Sequence, residues 1–502
     1  MSKKTIHKLL VANRGEISIR IFRAATELKI RTVAVFTHED RYSLHRYKAD
    51  ESYQIGAENE PLKPYLDIEE IISLAKRVGA DAIHPGYGFL SENVGFAKRC
   101  EKEGIIFVGP KSDVMEQLGD KIAAKKIARK AKVPVIEGAE INTDDVSEIK
   151  SFARKIGFPV MLKAAAGGGG RGMRVVREEA SLERNFLEAK GEAAKAFNDD
   201  TIFIEKFIDS PKHIEVQILA DQHGNIVHLY ERDCSVQRRF QKVIEVAPCQ
   251  NLSQSTKDKL YEYALSITKS VNYSNAGTVE FLVDKNENIF FIEVNPRIQV
   301  EHTITEEITG IDIVRSQIQI ARGHRLSDPQ IHLKSQQEVP CKGFAIQCRI
   351  TTEDPQNNFT PDYGTIIARR MANGYGIRID AGSIYTGFKV SPFFDSMLIK
   401  VSAKGRTLKG TCRRMIRALS EFRIRGVKTN IKFLENVINS EAFQEGNVTV
   451  NFIGEVITCI RDKDKKIISG DPEKIKKIYD TWVFSRDMRS NNPNWQLIDT
   501  LT

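Results

Sequence analysis

From Glu293 to Glu301 polar and apolar residues alternate without a break: Glu293, Asn295, Arg297, Gln299 and Glu301 are interleaved with Val294, Pro296, Ile298 and Val300. A period of two predicts an extended segment with one chemically loaded face. Upstream, Glu280 in GTVEFLV and Glu293 in IFFIEV lie symmetrically about the turn-forming stretch 284–288. A hairpin there would set the two carboxylates opposite each other, where like charges repel. A bridging cation turns that repulsion into a site. Two Glu with the amide oxygen of Asn295 are hard ligands of the kind Mg²⁺ takes while it also holds phosphates.

Elsewhere the pattern alternates strand and helix. HKLLVA, a helix over 16–28 and RTVAVF, then a helix over 67–78 and DAIHP, predict a parallel α/β unit. Its loops Asn13-Arg14-Gly15-Glu16 and HPGYGFLSEN follow strands, where open α/β sheets place ligands. The first loop lacks GxGxxG, which argues against nicotinamide binding. From about Met115 a helix over 121–132 leads into a small α/β segment, then into antiparallel strands HIEVQILAD and NIVHLYERD joined through the turn formers 221–225. A third region, from about Pro340, shows strands near 343–349 and 396–401 and helices over 408–422 and 428–438. Beyond about Gly454 the chain is charged and weakly patterned, which predicts a loosely packed tail.

Composition narrows the classes. A chain of 502 residues with 41% hydrophobic content supports several ordinary cores. Its net charge of +9 is spread along the chain; this suits anionic substrates and, with no basic stripe interleaved with aromatics, excludes a nucleic-acid footprint. The lysine runs near the C-terminus read as solvated surface. The seven cysteines show no CxxC spacing, so reduced thiols and no structural zinc are expected. No segment has the length of a membrane span or the form of a secretory signal, which leaves the cytoplasm as the expected compartment.

Two further stretches carry chemistry. FPVMLKAAAGGGGRGMRVV sets Lys163 at the end of an apolar strand, followed by Gly167, Gly168, Gly169 and Gly170 and then Arg171. Such a loop cradles a polyphosphate with backbone N–H groups, and it is not a Walker A loop because no Gly-Lys-Ser/Thr opens a helix. ERDCSVQRRFQKVIEVAP concentrates Arg232, Arg238, Arg239 and Lys242, which predicts one basic loop built for an anion.

Taken in order, NRGEI, HPGYGFLSEN, LGDK, KAAAGGGGRGM, EKF, HIEVQ, ERDCSVQRR, GTVEF, FIEVNPRIQVEH, CRI at 348–350 and FDS at 394–396 resemble the biotin carboxylases of the ATP-grasp superfamily over the first 450 or so residues. NFTPDYGTI and EFRIRGVKTNIKFLENVI are most similar to the biotin carboxylase region of pyruvate carboxylases. The resemblance implies an α/β and α+β multidomain protein: a Rossmann-like α/β domain over 1–115; an ATP-grasp domain over 116–335 with a glycine-rich lid at about 136–208; a mixed α/β domain over 336–454; and a tail over 455–502. It implies a C–N bond-forming ligase that carboxylates biotin on a carrier protein through carboxyphosphate. Lys121, Lys163, His213 and the Gly167 to Gly170 loop would hold the ATP phosphates, with Gln237 among the nucleotide residues. The Glu205-Lys206 strand and the backbone near Ile208 would recognise adenine. Glu280, Glu293 and Asn295 would hold Mg²⁺ or Mn²⁺. Lys242 and Arg297 would bind bicarbonate, Gln299 and the Val300 backbone would position it, and Glu301 would deprotonate it. Arg349 would stabilise the negative ureido oxygen of biotin. The implied partners are a biotin carboxyl carrier, a carboxyltransferase and a second copy of the chain or a larger assembly.

The chain departs from that family at three points. Phe240 stands in QRRFQK where the family carries histidine, and a phenyl ring neither donates a hydrogen bond nor titrates. Ala166 precedes a glycine run that keeps four members. No Met-Lys carrier motif occurs, so biotin is expected on another polypeptide, and the tail does not resemble the usual continuation of a pyruvate carboxylase, which favours a stand-alone subunit. Three alternatives stay open from the residues: a different ATP-grasp ligase, the equivalent subunit of an acyl-CoA carboxylase, and a nucleotide-binding scaffold without turnover.

Overall fold

The structure is a computed structural model that describes residues 3–141, 146–164, 173–197, 200–238 and 241–450, with four short strands beyond 458. The Gly167 to Gly170 run, Ala166, Arg171, Arg239 and Phe240 lie outside the described residues.

The N-terminal pattern folds as its periodicity predicts. Lys8–Val11 lies centrally in a five-stranded sheet, flanked in parallel by Arg31–Phe36 and Ala82–His84. Both loops named above leave the C-terminal ends of these strands. Gly15 begins the helix Gly15–Glu27 at φ 67°, a backbone conformation that suits glycine. Asn13 ties the two loops together, its Nδ2 donating to the carbonyls of Pro85 at 2.7 Å and Tyr87 at 2.8 Å. A Cβ on Gly86 would meet that amide at 2.9 Å, so the approach needs glycine.

Residues 138–206 form a separate four-stranded antiparallel sheet, ordered Gly138–Ile141, Ile202–Lys206, Val160–Ala164 and Met173–Val176. The helices Val146–Ile156 and Leu182–Phe197 close its core through Ile149, Leu182 and Phe186 packed on Val160, Leu162 and Ile204.

The largest element is an eight-stranded sheet, ordered Ile289–Asn295, Asn275–Val283, Lys212–Ala220, Ile226–Arg238, Gln241–Ala247, Phe344–Thr351, Met397–Gly405 and Ile377–Ala381. It runs unbroken from the central region into the region that begins near residue 340, through pairing of Gln241–Ala247 with Phe344–Thr351. One face is apolar: Ile214, Val216, Ile218, Val279 and Phe281 pack against Leu260, Ala264 and Ile267 of the helix Gln254–Ser270. The alternate residues give the other face an unusual composition for a buried surface. It carries Glu215, Gln217, Arg232, Glu245, Thr278, Glu280, Gln347, Lys400 and Ser402, all nearly inaccessible to water. The helix His302–Thr309 lies over this face.

Two expectations change. The basic cluster is no loop: Arg232 and Arg238 belong to the strand Ile226–Arg238, and Lys242 to the strand paired with it. The extended segment of 293–301 stops as a strand at Asn295, because Pro296 has no N–H for the ladder and the chain turns with Arg297 N–H bonded to the Asn295 carbonyl at 2.8 Å. Beyond residue 458, Cys459–Arg461 pairs with Ile467–Gly470 and Thr481–Ser485 with Gln496–Leu501. Among the described residues no helix is long and apolar enough to cross a membrane.

Candidate active site

The hairpin about 284–288 forms, with the Asp284 N–H donating to the Asn288 carbonyl at 3.1 Å. Its register sets Glu280 directly opposite Glu293, as the symmetry of the sequence predicts, and Thr278 opposite Asn295. The next pairing puts Glu215 beside Glu280, and the one after puts Arg232 beside Glu215. Three adjacent strands thus bring acidic side chains together on the dry polar face.

Glu280 is the best satisfied of them. Its Oε1 accepts from Asn295 Nδ2 at 2.7 Å, Gln299 Nε2 at 2.8 Å and Lys242 Nζ at 3.1 Å, and its Oε2 accepts from His213 Nε2 at 2.7 Å. Burial raises its pKa, but Lys242 and then His213 outweigh burial and hold it well below the usual carboxylate range. Gln237 fixes the imidazole from behind, donating to His213 Nδ1 at 2.7 Å. Glu293 is different. No hydrogen bond from the described residues reaches its carboxylate, and burial, reinforced by the charge of Glu280, pushes its pKa up, with Lys121 opposing. A half-buried carboxylate without a donor beside a second carboxylate is an arrangement that a hard divalent cation completes. The residues present therefore fit a metal at Glu280, Glu293 and Asn295. The Asn295 Oδ1 accepts from Arg297 Nη2 at 2.9 Å.

Glu301 immediately precedes the helix His302–Thr309, and its side chain makes no capping bond to it. Its carboxylate lies between two cations, with Lys242 Nζ at 2.9 Å and Arg349 Nη2 at 3.1 Å. Burial raises its pKa, and Lys242, Arg349 and Arg232 together override this, so Glu301 is ionised far below neutral pH. Lys242 is shared among Glu301, Glu280 and Glu215. Arg349 arrives on the strand Phe344–Thr351 and is also held by Glu245 at 2.6 Å. Gln299 joins the same network by accepting from Arg232 at 2.8 Å. Arg297 pairs with Glu92 of the HPGYGFLSEN loop at 3.1 Å. Sequence reasoning thus places Lys242, Glu280, Glu293, Asn295, Arg297, Gln299, Glu301, His213, Gln237 and Arg349 in one neighbourhood, and the structure brings them together.

A second cluster belongs to residues 138–206. Glu205, nearly fully buried, accepts from Lys163 at 2.6 Å and is also bonded by Lys125 of the helix Lys121–Lys130. Burial raises the Glu205 pKa, and the two lysines more than reverse it. Lys206 turns elsewhere, donating to the carbonyls of Gly157 at 2.9 Å and Phe158 at 3.0 Å. Ile208 is half-buried just beyond that strand.

Sequence reasoning passed over Glu215, Glu245 and Lys125. Glu215 sits in a polar alternation with His213 and Gln217 that signals the same face. Glu245 and Lys125 gain meaning only through pairings distant in sequence.

A parallel N-terminal sheet, a small antiparallel sheet and a large antiparallel sheet with a carboxylate-rich polar face define the class of this chain as ATP-grasp. Family matches agree: Biotin carboxylase, N-terminal domain at residues 5–115; Carbamoyl-phosphate synthase L chain, ATP binding domain at 120–329; and Biotin carboxylase C-terminal domain at 347–455. The chain is 53% identical over 468 residues to pyruvate carboxylase of Bacillus subtilis and 52% identical over 452 residues to mitochondrial pyruvate carboxylase of Mus musculus. These alignments take in 93% and 90% of the chain, but only 41% and 38% of those enzymes. The solved biotin carboxylase domain of Hydrogenobacter thermophilus 2-oxoglutarate carboxylase, in complex with MgADP, ADP and bicarbonate, is 44% identical at a TM-score of 0.85; the match covers 90% of this chain and 98% of that one. Rhizobium etli pyruvate carboxylase superposes at a TM-score of 0.84 with 52% identity, covering 89% of this chain and 40% of that one. The chain belongs to the biotin carboxylase family of ATP-dependent ligases. A further match, Tim44-like domain, spans residues 421–502. Its first part overlaps the biotin carboxylase C-terminal match, and Leu434, Val437 and Phe443 there pack in one core with Ile350 and Val401.

Proposed function

We propose that the chain carboxylates biotin on a biotin carboxyl carrier protein or domain, using Mg-ATP and bicarbonate, as the biotin carboxylase component of a pyruvate carboxylase-like enzyme. The observation that carries this reading is the Glu301 carboxylate held between Lys242 and Arg349, beside the paired carboxylates Glu280 and Glu293. Bicarbonate is a weak nucleophile, so its attack on the γ-phosphorus needs a base and charge neutralisation together.

In this reading Lys242 and Arg297 bind bicarbonate, with Gln299 and the Val300 backbone orienting it. An anion between Lys242 and Glu301 draws the ammonium away from Glu301 and so raises the basicity of that carboxylate. Glu301 takes the proton as the bicarbonate oxygen forms its bond to phosphorus and ADP departs, giving carboxyphosphate. This splits into CO₂ and phosphate; phosphate takes the biotin N1 proton, and the ureido nitrogen attacks CO₂. Arg349, which keeps its proton throughout, stabilises the charge on the ureido oxygen. Lys121, Lys163, His213 and the Gly167 to Gly170 run hold the ATP phosphates, and Glu205, Lys206 and Ile208 lie along the adenine. Glu280, Glu293 and Asn295 would hold Mg²⁺, which neutralises phosphate charge when bound. Residues 136–208 act as the lid that excludes water from the intermediate. The partners proposed are a biotin carboxyl carrier, a carboxyltransferase and a second copy of the chain.

The test is ADP release by the purified chain with Mg-ATP and bicarbonate, with and without free biotin. Stimulation by biotin is expected. ATP binding without stimulation by biotin or by a biotinylated carrier would favour the scaffold reading that Phe240 raises.

A further inference from the structure

On the polar face of the large sheet, Lys400 joins Arg232 as a buried cation that the proposed chemistry does not use. Lys400 lies on the strand Met397–Gly405, directly beside Arg349 in the register, and its side chain is wholly inaccessible to water. An ammonium in such a place is stable only when its protons are matched. Its Nζ donates to the Val300 carbonyl at 3.0 Å and pairs with Glu16 Oε1 at 3.0 Å. Glu16 comes from the first turn of Gly15–Glu27, and the same Oε1 accepts from the hydroxyl of Tyr87, in the HPGYGFLSEN loop. The other Glu16 oxygen is buried with no partner among the described residues. Burial drives the Glu16 carboxyl up to about 7, with Lys400 the main opposing influence. The buried pair therefore joins three parts of the chain: the first helix of the N-terminal unit, the turn before Glu301, and the C-terminal strands of the large sheet.

The position of the contact gives it a consequence. The Val300 carbonyl belongs to the peptide that links Val300 to Glu301, and Glu301 immediately precedes the following helix while its carboxylate meets Lys242 and Arg349. We infer that Lys400, neutralised by Glu16, is a positioning residue: it clamps the Val300–Glu301 peptide so that the Glu301 carboxylate and the Val300 backbone face the bicarbonate. The inference rests on the role proposed for Glu301. Lys400 touches no reacting atom. It acts through the peptide, and the N-terminal domain reaches the chemistry through it.

The test uses Lys400→Met and Glu16→Gln in the full chain. For Lys400→Met, kcat for biotin-dependent ADP release is expected to fall about 10- to 100-fold, the equivalent of one lost charged hydrogen bond, with ATP affinity within about twofold. Deuterium uptake of the 298–309 segment should quicken about tenfold as the clamp is lost. Glu16→Gln keeps the shape and removes the counter-charge, and should give a smaller change of the same kind in both readouts. If Lys400→Met does not fold, Glu16→Gln decides by the same two measurements. A merely structural role would lower thermal stability and weaken ATP binding together with kcat, and that result overturns the inference. Unchanged exchange in 298–309 also overturns it. If the wild type shows no biotin-dependent turnover, the proposed function fails, and the exchange readout still decides the clamp.

Discussion

In the 138–206 sheet one carboxylate, Glu205, is shared by Lys125 and Lys163. On the polar face of the large sheet the sharing is reversed: one cation, Lys242, is shared by the three carboxylates Glu215, Glu280 and Glu301. A surplus of cations suits a polyphosphate, and a surplus of carboxylates suits a divalent metal and a base. The two also differ in how firmly they are built. Arg232, with no exposed surface, bonds Glu215, Gln217, Thr278, Gln299 and Thr305, so the sheet cluster is held even without substrate. In the proposed reading the Glu205 cluster is exchangeable: Lys163 would leave Glu205 for a phosphate while Lys125 keeps the carboxylate paired.

Substitutions test this contrast in decreasing order of effect. Glu301→Gln removes the proposed base without changing volume, and biotin-stimulated turnover should fall about 10³-fold, within the range for loss of a general base, while ATP affinity stays within about twofold. Arg232→Met leaves the buried Glu215 with Lys242 as its only hydrogen-bonded cation among the described residues and unpairs the Gln217 side-chain oxygen, and should cost about 3–5 kcal/mol of stability, read by denaturant unfolding. Lys163→Met, by contrast, should leave the unfolding midpoint nearly unchanged and weaken ATP binding about 10- to 100-fold, read by nucleotide titration. Equal stability losses at Arg232 and Lys163 would remove the distinction between a fixed and an exchangeable cluster. Glu293→Gln should raise the metal concentration needed for half-activation about tenfold. Because the Glu293 pKa is raised, protons compete with the metal there. Apparent metal affinity in the wild type should fall as pH is lowered toward that pKa, and Glu293→Gln should flatten the dependence. Phe240→His should change the bicarbonate-dependent ATPase rate least, leaving it unchanged or raising it; a large loss would mean that the site is built around the ring.

The metal-side hairpin was legible because its information is local: a turn, two strands and a period of two place Glu280 opposite Glu293 without knowledge of the rest. The parallel N-terminal unit and its two loops were legible for the same reason. The basic cluster misled, because Arg232 and Lys242 look like neighbours in a loop but stand on paired strands, where Arg232 is a buried keystone and Lys242 reaches three carboxylates. Glu245 finds Arg349, and Lys400 finds Glu16, across more than 100 and 380 residues of chain. Sheet register over such separations is set by tertiary packing, and no local propensity encodes it. The continuity of one sheet across the boundary near residue 340 was hidden for the same reason, yet it is what delivers Arg349 to Glu301.

The central claim is that Glu301 activates bicarbonate to attack the γ-phosphate of ATP. The most direct measurement is transfer of ¹⁸O from labelled bicarbonate into the phosphate released during biotin-dependent turnover. The account predicts one bicarbonate oxygen in each phosphate, and a loss of this transfer in Glu301→Gln. Phosphate that takes its new oxygen from water would contradict it.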